Sequence, residues 1–140
     1  MMNILLETDK EKYFTQEIIH ILLSITASED VFIKDLTATF RVEEFSRATY
    51  KCPYEELYRT SSKILVLYEY IEHIAENIKL KAGETKKYTL SIKIPENIPS
   101  SYYGVNAWCK WKIYVSAKIS LGIIKTVEKE IIGYSTYDYR

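Results

Sequence analysis

The chain has 140 residues, 19 basic and 19 acidic side chains, and a formal net charge of zero. That balance excludes bulk electrostatic attraction to DNA, RNA or anionic lipid, and it excludes an acidic solvating tail. The length suits one domain with its own core, and 19 Ile and 13 Tyr favour strands, because branched and aromatic side chains pack well on a pleated surface.

The opening residues, Met1 to Glu7, are too short an apolar run for a signal peptide and meet an acid at once. Residues 18–26 alternate, with Ile19, Ile21, Leu23 and Ile25 on one wholly apolar face, and predict a strand against a core. Glu29-Asp30 marks a turn. Residues 31–44 predict a half-buried antiparallel strand, with Leu36, Ala38, Phe40 and Val42 inward and Asp35, Thr37, Thr39, Arg41 and Glu43 outward. Residues 46–62 break the alternation, and Pro53 followed by YEELYR predicts a loop with one helical turn.

Residues 63–74 fit a strand or a helix from about 65 to 76. Branched Ile64, Val66 and Ile71 favour the strand, with Ile64, Val66, Tyr68 and Tyr70 on one face and Leu65, Leu67, Glu69 and Ile71 on the other. A short strand at 77–80 and a turn at Lys81-Ala82-Gly83-Glu84 follow. Residues 86–94 alternate again, and Pro95 and Pro99 bracket an extended loop. Residues 107–121 predict a long strand with Trp111, Ile113, Val115, Ala117, Ile119 and Leu121 on one face, and Gly122 turns it into a last strand over 123–132. The sum is an all-β, immunoglobulin-like sandwich of two antiparallel sheets, with seven or eight strands and at most one short helix. The expected organisation is a single domain over 1–140, with its core at about 3–133 and a Tyr-rich tail at 134–140.

The chemistry-bearing residues are sparse. Cys52 and Cys109 lie in unrelated contexts and read as two free thiols or one disulfide, and no paired Cys or His spacing suggests a metal. His20 reads as a partly buried structural residue and His73 as a solvated one. Four glycines leave no material for a phosphate-cradling loop, and no nucleophile motif occurs. The carboxylate pairs Glu43-Glu44, Glu55-Glu56 and Glu128/Glu130 read as solvated surface rather than a glycosidase pair. We therefore expect a protein that is not an enzyme, with no metal and no cofactor. No apolar stretch reaches the roughly 20 residues a membrane span needs, and a cytoplasmic setting is expected.

Two features suggest partner binding. Lys110, Lys112 and Lys118, joined by Lys125 and Lys129 across the hairpin at Gly122, would form a basic stripe for phosphates, acidic peptide or anionic headgroups, with Lys118 approaching Lys125. The plainer reading is edge protection by lysine, with Glu128 and Glu130 neutralising part of it. The tail tyrosines Tyr134, Tyr137 and Tyr139 read as the end of an edge strand or as a docking segment added to a neighbour's sheet.

Residues 77–121 resemble the signature stretch of arrestin-like N-terminal domains. The likeness rests on Gly83-Glu84 between two strands, Ile94-Pro95, Ile98-Pro99-Ser100-Ser101, Tyr102-Tyr103-Gly104 and the long strand from Trp111 to Leu121. The first part of the chain resembles that family's opening, although Thr15-Gln16 stands where the family places Pro-Gly before the glutamate, here Glu17. The resemblance implies a noncatalytic protein-interaction, scaffolding or adaptor module. Separately, the composition, with 15 Lys and 15 Glu against one Gln, has an archaeal or thermophile-like skew, which a low-GC genome would also give. Lys10 and Lys12 are separated by Glu11, so the tandem lysines that hold phosphorylated tails in arrestins are unmatched. A lone sandwich leaves open a surface that the family covers with a second one, which implies a protein partner or a homo-oligomer. The alternative is a structural subunit of a viral or cellular assembly built from a β-sandwich. No nucleic-acid partner is expected.

Overall fold

The computed structural model describes residues 2–51 and 58–136. It contains β1 (Met2–Thr8), β2 (Lys12–Phe14), β3 (Ile18–Ala27), β4 (Val31–Lys51), β5 (Tyr58–Leu80), β6 (Thr85–Lys93), β7 (Tyr102–Tyr103), β8 (Ala107–Ile119) and β9 (Ile124–Tyr134). A three-stranded sheet, β1-β3-β6, packs on a larger one ordered β2-β9-β8-β4-β5, with β7 added beside β8. The all-β sandwich expected from the alternation is what the chain forms. Among the described residues one pairing is not antiparallel: β2 runs parallel to β9 through Lys12↔Ile132 to Phe14↔Tyr134.

The core lies where the alternation is cleanest. Ile19, Ile21, Leu23 and Ile25 of β3 face Leu36, Ala38, Phe40 and Val42 of β4 and Trp111, Ile113, Val115 and Ala117 of β8, all buried. Trp111 is the largest of them; its ring meets Phe40 edge-on at 5.8 Å, and its indole N–H donates to the Pro99 carbonyl at 2.9 Å. That bond satisfies the polar end of a side chain whose apolar body is wholly inside. Gly133 of β9 lies against the indole, and a Cβ there would land inside the ring.

The proline-bracketed loop fastens the end of β9. The Ser101 hydroxyl accepts the Gly133 N–H at 2.8 Å, and the Ser100 hydroxyl accepts the Ser135 N–H at 2.7 Å. Thr15 continues the clasp, accepting the Thr136 N–H at 3.1 Å. Gln16 adopts φ 74°, the left-handed conformation for which glycine is the natural residue.

Three expectations change. Residues 46–51 and 58–62 are not a loop with a helical turn: they extend β4 and β5 into one long hairpin, while residues 52–57, with Cys52, Glu55 and Glu56, lie outside the described residues. β8 begins at Ala107 opposite Ser46, so β4 and β5 beyond that point form a two-stranded ribbon. Both faces of such a ribbon meet solvent, which removes the selection for alternation. The short strand at 77–80 is the end of β5. Within β5, a bulge at Leu67 leaves Val66 opposite Glu43 but Tyr68 opposite Val42, so Val66 and Tyr68 do not share the face that simple alternation assigns them.

Candidate interaction surface

The outer face of the large sheet is built by the residues of β4 and β8 that alternate with the core. Trp108 stacks on Phe45 across the pair at 5.4 Å and 16°. The Lys110 ammonium stands 4.5 Å from the Trp108 ring, and the Arg47 guanidinium lies 5.9 Å from Phe45. Such cation-to-ring contacts hold long side chains flat on the sheet.

Beside this stack, Glu43 is only 7% exposed, a departure from the solvated role expected of it. It accepts the Tyr114 hydroxyl and lies 3.8 Å from Arg41 and 3.7 Å from Lys112. Arg41 in turn donates to Glu69 at 2.7 Å and covers the Tyr114 ring. A buried carboxylate stays in place when it is compensated in this way. Burial, and then the bond to Glu43, pushes the Tyr114 hydroxyl's pKa upward.

The expected basic stripe divides between two faces. Lys110 and Lys112 share the outer face with Glu130 and Glu128, which approach to 3.6 and 3.9 Å. Lys118 is exposed and pairs with Ile124. Lys125 pairs with buried Ala117, so it points to the opposite face, where its ammonium donates to the Met2 carbonyl and ties β9 to β1. Lys118 and Lys125 therefore do not converge: the turn Ser120–Gly122 fixes a register that places them on opposite faces. Lys129 is held by Glu11 at 2.9 Å.

Of the tail tyrosines, Tyr134 ends β9 with its ring 5.4 Å from Phe14; Tyr137 and Tyr139 lie outside the described residues. His20 is exposed on the outer face of β3 rather than partly buried. It contacts the Ser91 hydroxyl at 3.0 Å and borders an open hollow of about 510 Å³. His73 is exposed and paired with Asp35 at 2.6 Å. Cys109 is a buried free thiol whose pKa burial pushes up to about 11. Among the described residues no three His, Cys, Asp or Glu side chains converge as metal ligands, and no helix is long and apolar enough to cross a membrane.

The sharpest surface feature is one the sequence reading did not single out. β5 ends the large sheet, and Ile64, Leu65, Val66, Leu67, Tyr70 and Ile71 are all exposed along it. The signal was present: the run Ile64-Leu65-Val66-Leu67 is apolar at both parities, which a strand needs only if both faces meet something dry.

No protein-family model matches the sequence, and no curated protein matches it in sequence. Among solved structures, the fold matches that of Spo0M, a sporulation control protein from Bacillus subtilis, with a TM-score of 0.68 at 13% identity. The match covers 96% of this chain and 49% of that one, so the chain spans about half the length of its structural neighbour. At this identity the likeness concerns the fold, and it supports the arrestin-like sandwich that the turn motifs suggested.

Proposed function

We propose that the chain is a noncatalytic, arrestin-like protein-interaction module, acting as a scaffold or adaptor in the cytoplasm. The observation that carries this reading is the edge strand β5, whose apolar residues Ile64, Leu65, Val66, Leu67, Tyr70 and Ile71 are exposed on both faces. An open sheet edge presents unpaired backbone groups, and apolar side chains beside it add the burial that makes pairing favourable. The Spo0M-like fold is consistent with a regulatory role of this kind. The basic face is a secondary contact in the same reading: Lys118 is exposed, whereas carboxylates already engage Lys110 and Lys112. Tyr134, Tyr137 and Tyr139 extend the contact only if the chain end docks on a neighbour.

Photo-crosslinking in cells from residue 66 or 71 tests the proposal. Discrete crosslinked protein products are expected from both positions and none from residue 87 on the three-stranded sheet. No crosslinked protein from 66 or 71 overturns the reading. A structural-subunit role is favoured instead if light scattering shows a large closed or filamentous assembly, for which the projecting β4–β5 ribbon would serve as the arm.

A further inference from the structure

We infer that the partner of the β5 edge is a second copy of this chain, paired antiparallel to it about a two-fold axis between Leu67 and Tyr68. The inference rests on the interaction-module reading above and names its partner.

Three observations carry it. First, the edge is available. β4 occupies one side of β5, and among the described residues no strand pairs with the other. Second, charge along β5 is polar. Lys63 precedes the apolar run 64–68, and Glu69, Glu72 and Glu76 follow it. Turning one copy through a half-rotation brings the basic end of each strand to the acidic end of the other, whereas a parallel partner would set acid against acid. Antiparallel two-fold pairing is therefore the arrangement the charges select.

Third, the bulge makes the faces match. Opposite residues in an antiparallel pair must point to the same side of the sheet, so a regular strand meets its own copy only at positions of equal parity. The bulge at Leu67 reverses parity between the two halves of β5. Lys63, Leu65, Tyr68, Tyr70 and Glu72 lie opposite Ser46, Glu44, Val42, Phe40 and Ala38 on one face; Ile64, Val66, Glu69 and Ile71 lie opposite Phe45, Glu43, Arg41 and Thr39 on the other. An axis between Leu67 and Tyr68 then sets Lys63 against Glu72, Ile64 against Ile71, Leu65 against Tyr70 and Val66 against Glu69, each pair on one face. The partners are also matched in exposure: Ile64 59% with Ile71 58%, and Leu65 41% with Tyr70 40%. The same bulge that breaks the regularity of the strand makes it complementary to itself.

The test is charge reversal followed by mixing, read by analytical ultracentrifugation of the 140-residue chain. The unaltered chain is expected to dimerise reversibly at about 100 μM, as befits a small edge interface. Lys63→Glu sets two carboxylates together twice in the homodimer, and Glu72→Lys sets two ammonium groups together twice. Each variant alone is expected to dimerise about tenfold more weakly or worse. Mixed in equal amounts, the two recover a heterodimer, because every opposed pair again has unlike charges. That recovery also shows both variants to be folded. A chain that stays monomeric at this concentration overturns the inference, as does a dimer indifferent to both substitutions or a mixture that shows no heterodimer. If the chain is monomeric but residue 66 still crosslinks to a different protein, the interaction reading stands and the choice of partner falls.

Discussion

Strand β8 and the first half of β5 are both rich in branched and aromatic residues. Yet Trp111, Ile113, Val115 and Ala117 of β8 are fully buried, while Ile64 and Val66 of β5 are more than half exposed. The difference lies in position. β8 has β4 and β9 at its two sides and the three-stranded sheet across its inner face; among the described residues, β5 has β4 alone at its side. Apolar content makes a strand, but the number of neighbours decides how much of it is removed from water. The contrast separates two kinds of apolar residue in one chain: those that hold the sandwich together and those left exposed.

The largest expected effect comes from removing the centre of the buried region. Trp111→Ala deletes the ring packed on Phe40 and Gly133 and leaves a cavity, at a cost of about 3–5 kcal/mol. Val66→Ala on β5 should cost under about 0.5 kcal/mol, since the residue is 53% exposed. Urea unfolding of both variants measures the gap, and equal losses would break the comparison.

Next comes the fit of β9 over that ring. Gly133→Ala places a methyl group where the indole stands, so Trp111 must shift, for a loss of about 1–3 kcal/mol. Near-ultraviolet circular dichroism should change with it. An unaltered spectrum and unaltered stability would mean the ring has room that the packing denies it.

Tyr13 extends the buried region to β2 and gives it a pH signature. Its ring is fully buried, and its hydroxyl donates to Asp9 at 2.5 Å. Burial first, and then that bond, pushes its pKa from 10.0 up to about 12. The folded protein thus holds this proton more tightly than the unfolded chain does. The associated stability is complete below pH 10 and is lost as pH rises from about 10 to about 12, a loss on the order of 2 kcal/mol. Tyr13→Phe should flatten the denaturation profile in that window, and an equally steep fall in the variant would assign the loss to other groups.

The same contrast explains what was legible in the sequence. β3, β4, β6 and β8 were readable because each has one dry face, and a dry face forces alternation at period two. The anchoring of β9 by Ser100 and Ser101 was not readable, because the amides their hydroxyls accept from, Gly133 and Ser135, are distant in the chain. The β4–β5 ribbon was not, because two exposed faces impose no pattern. The basic stripe failed for a different reason: residue types were read correctly, but the register across Ser120–Gly122 decides which face each lysine takes, and one position of slip separates Lys118 from Lys125. Burial of Glu43 was equally hidden, since Arg41, Lys112 and Tyr114 surround it only once β4 and β8 are side by side. β2 was invisible at three residues, its parallel pairing with β9 set by the chain's return rather than by any local signal.

The smallest expected effect is the most discriminating for the exposed region. Val66→Thr keeps the branched shape that suits a strand and exchanges one methyl for a hydroxyl. In a folded chain whose residue 66 is solvated, that exchange should leave stability within about 0.5 kcal/mol of the original. Where the same residue is covered by a partner, the exchange removes an apolar methyl from the buried interface, at a cost of about 1 kcal/mol per copy. Thermal unfolding at low and high protein concentration separates the two. The variant should match the parent when dilute and fall behind it when concentrated, because only the parent gains stability from association. A deficit already present at low concentration would mean that β5 is covered within the single chain, and the division between holding residues and docking residues would then fail at its clearest member.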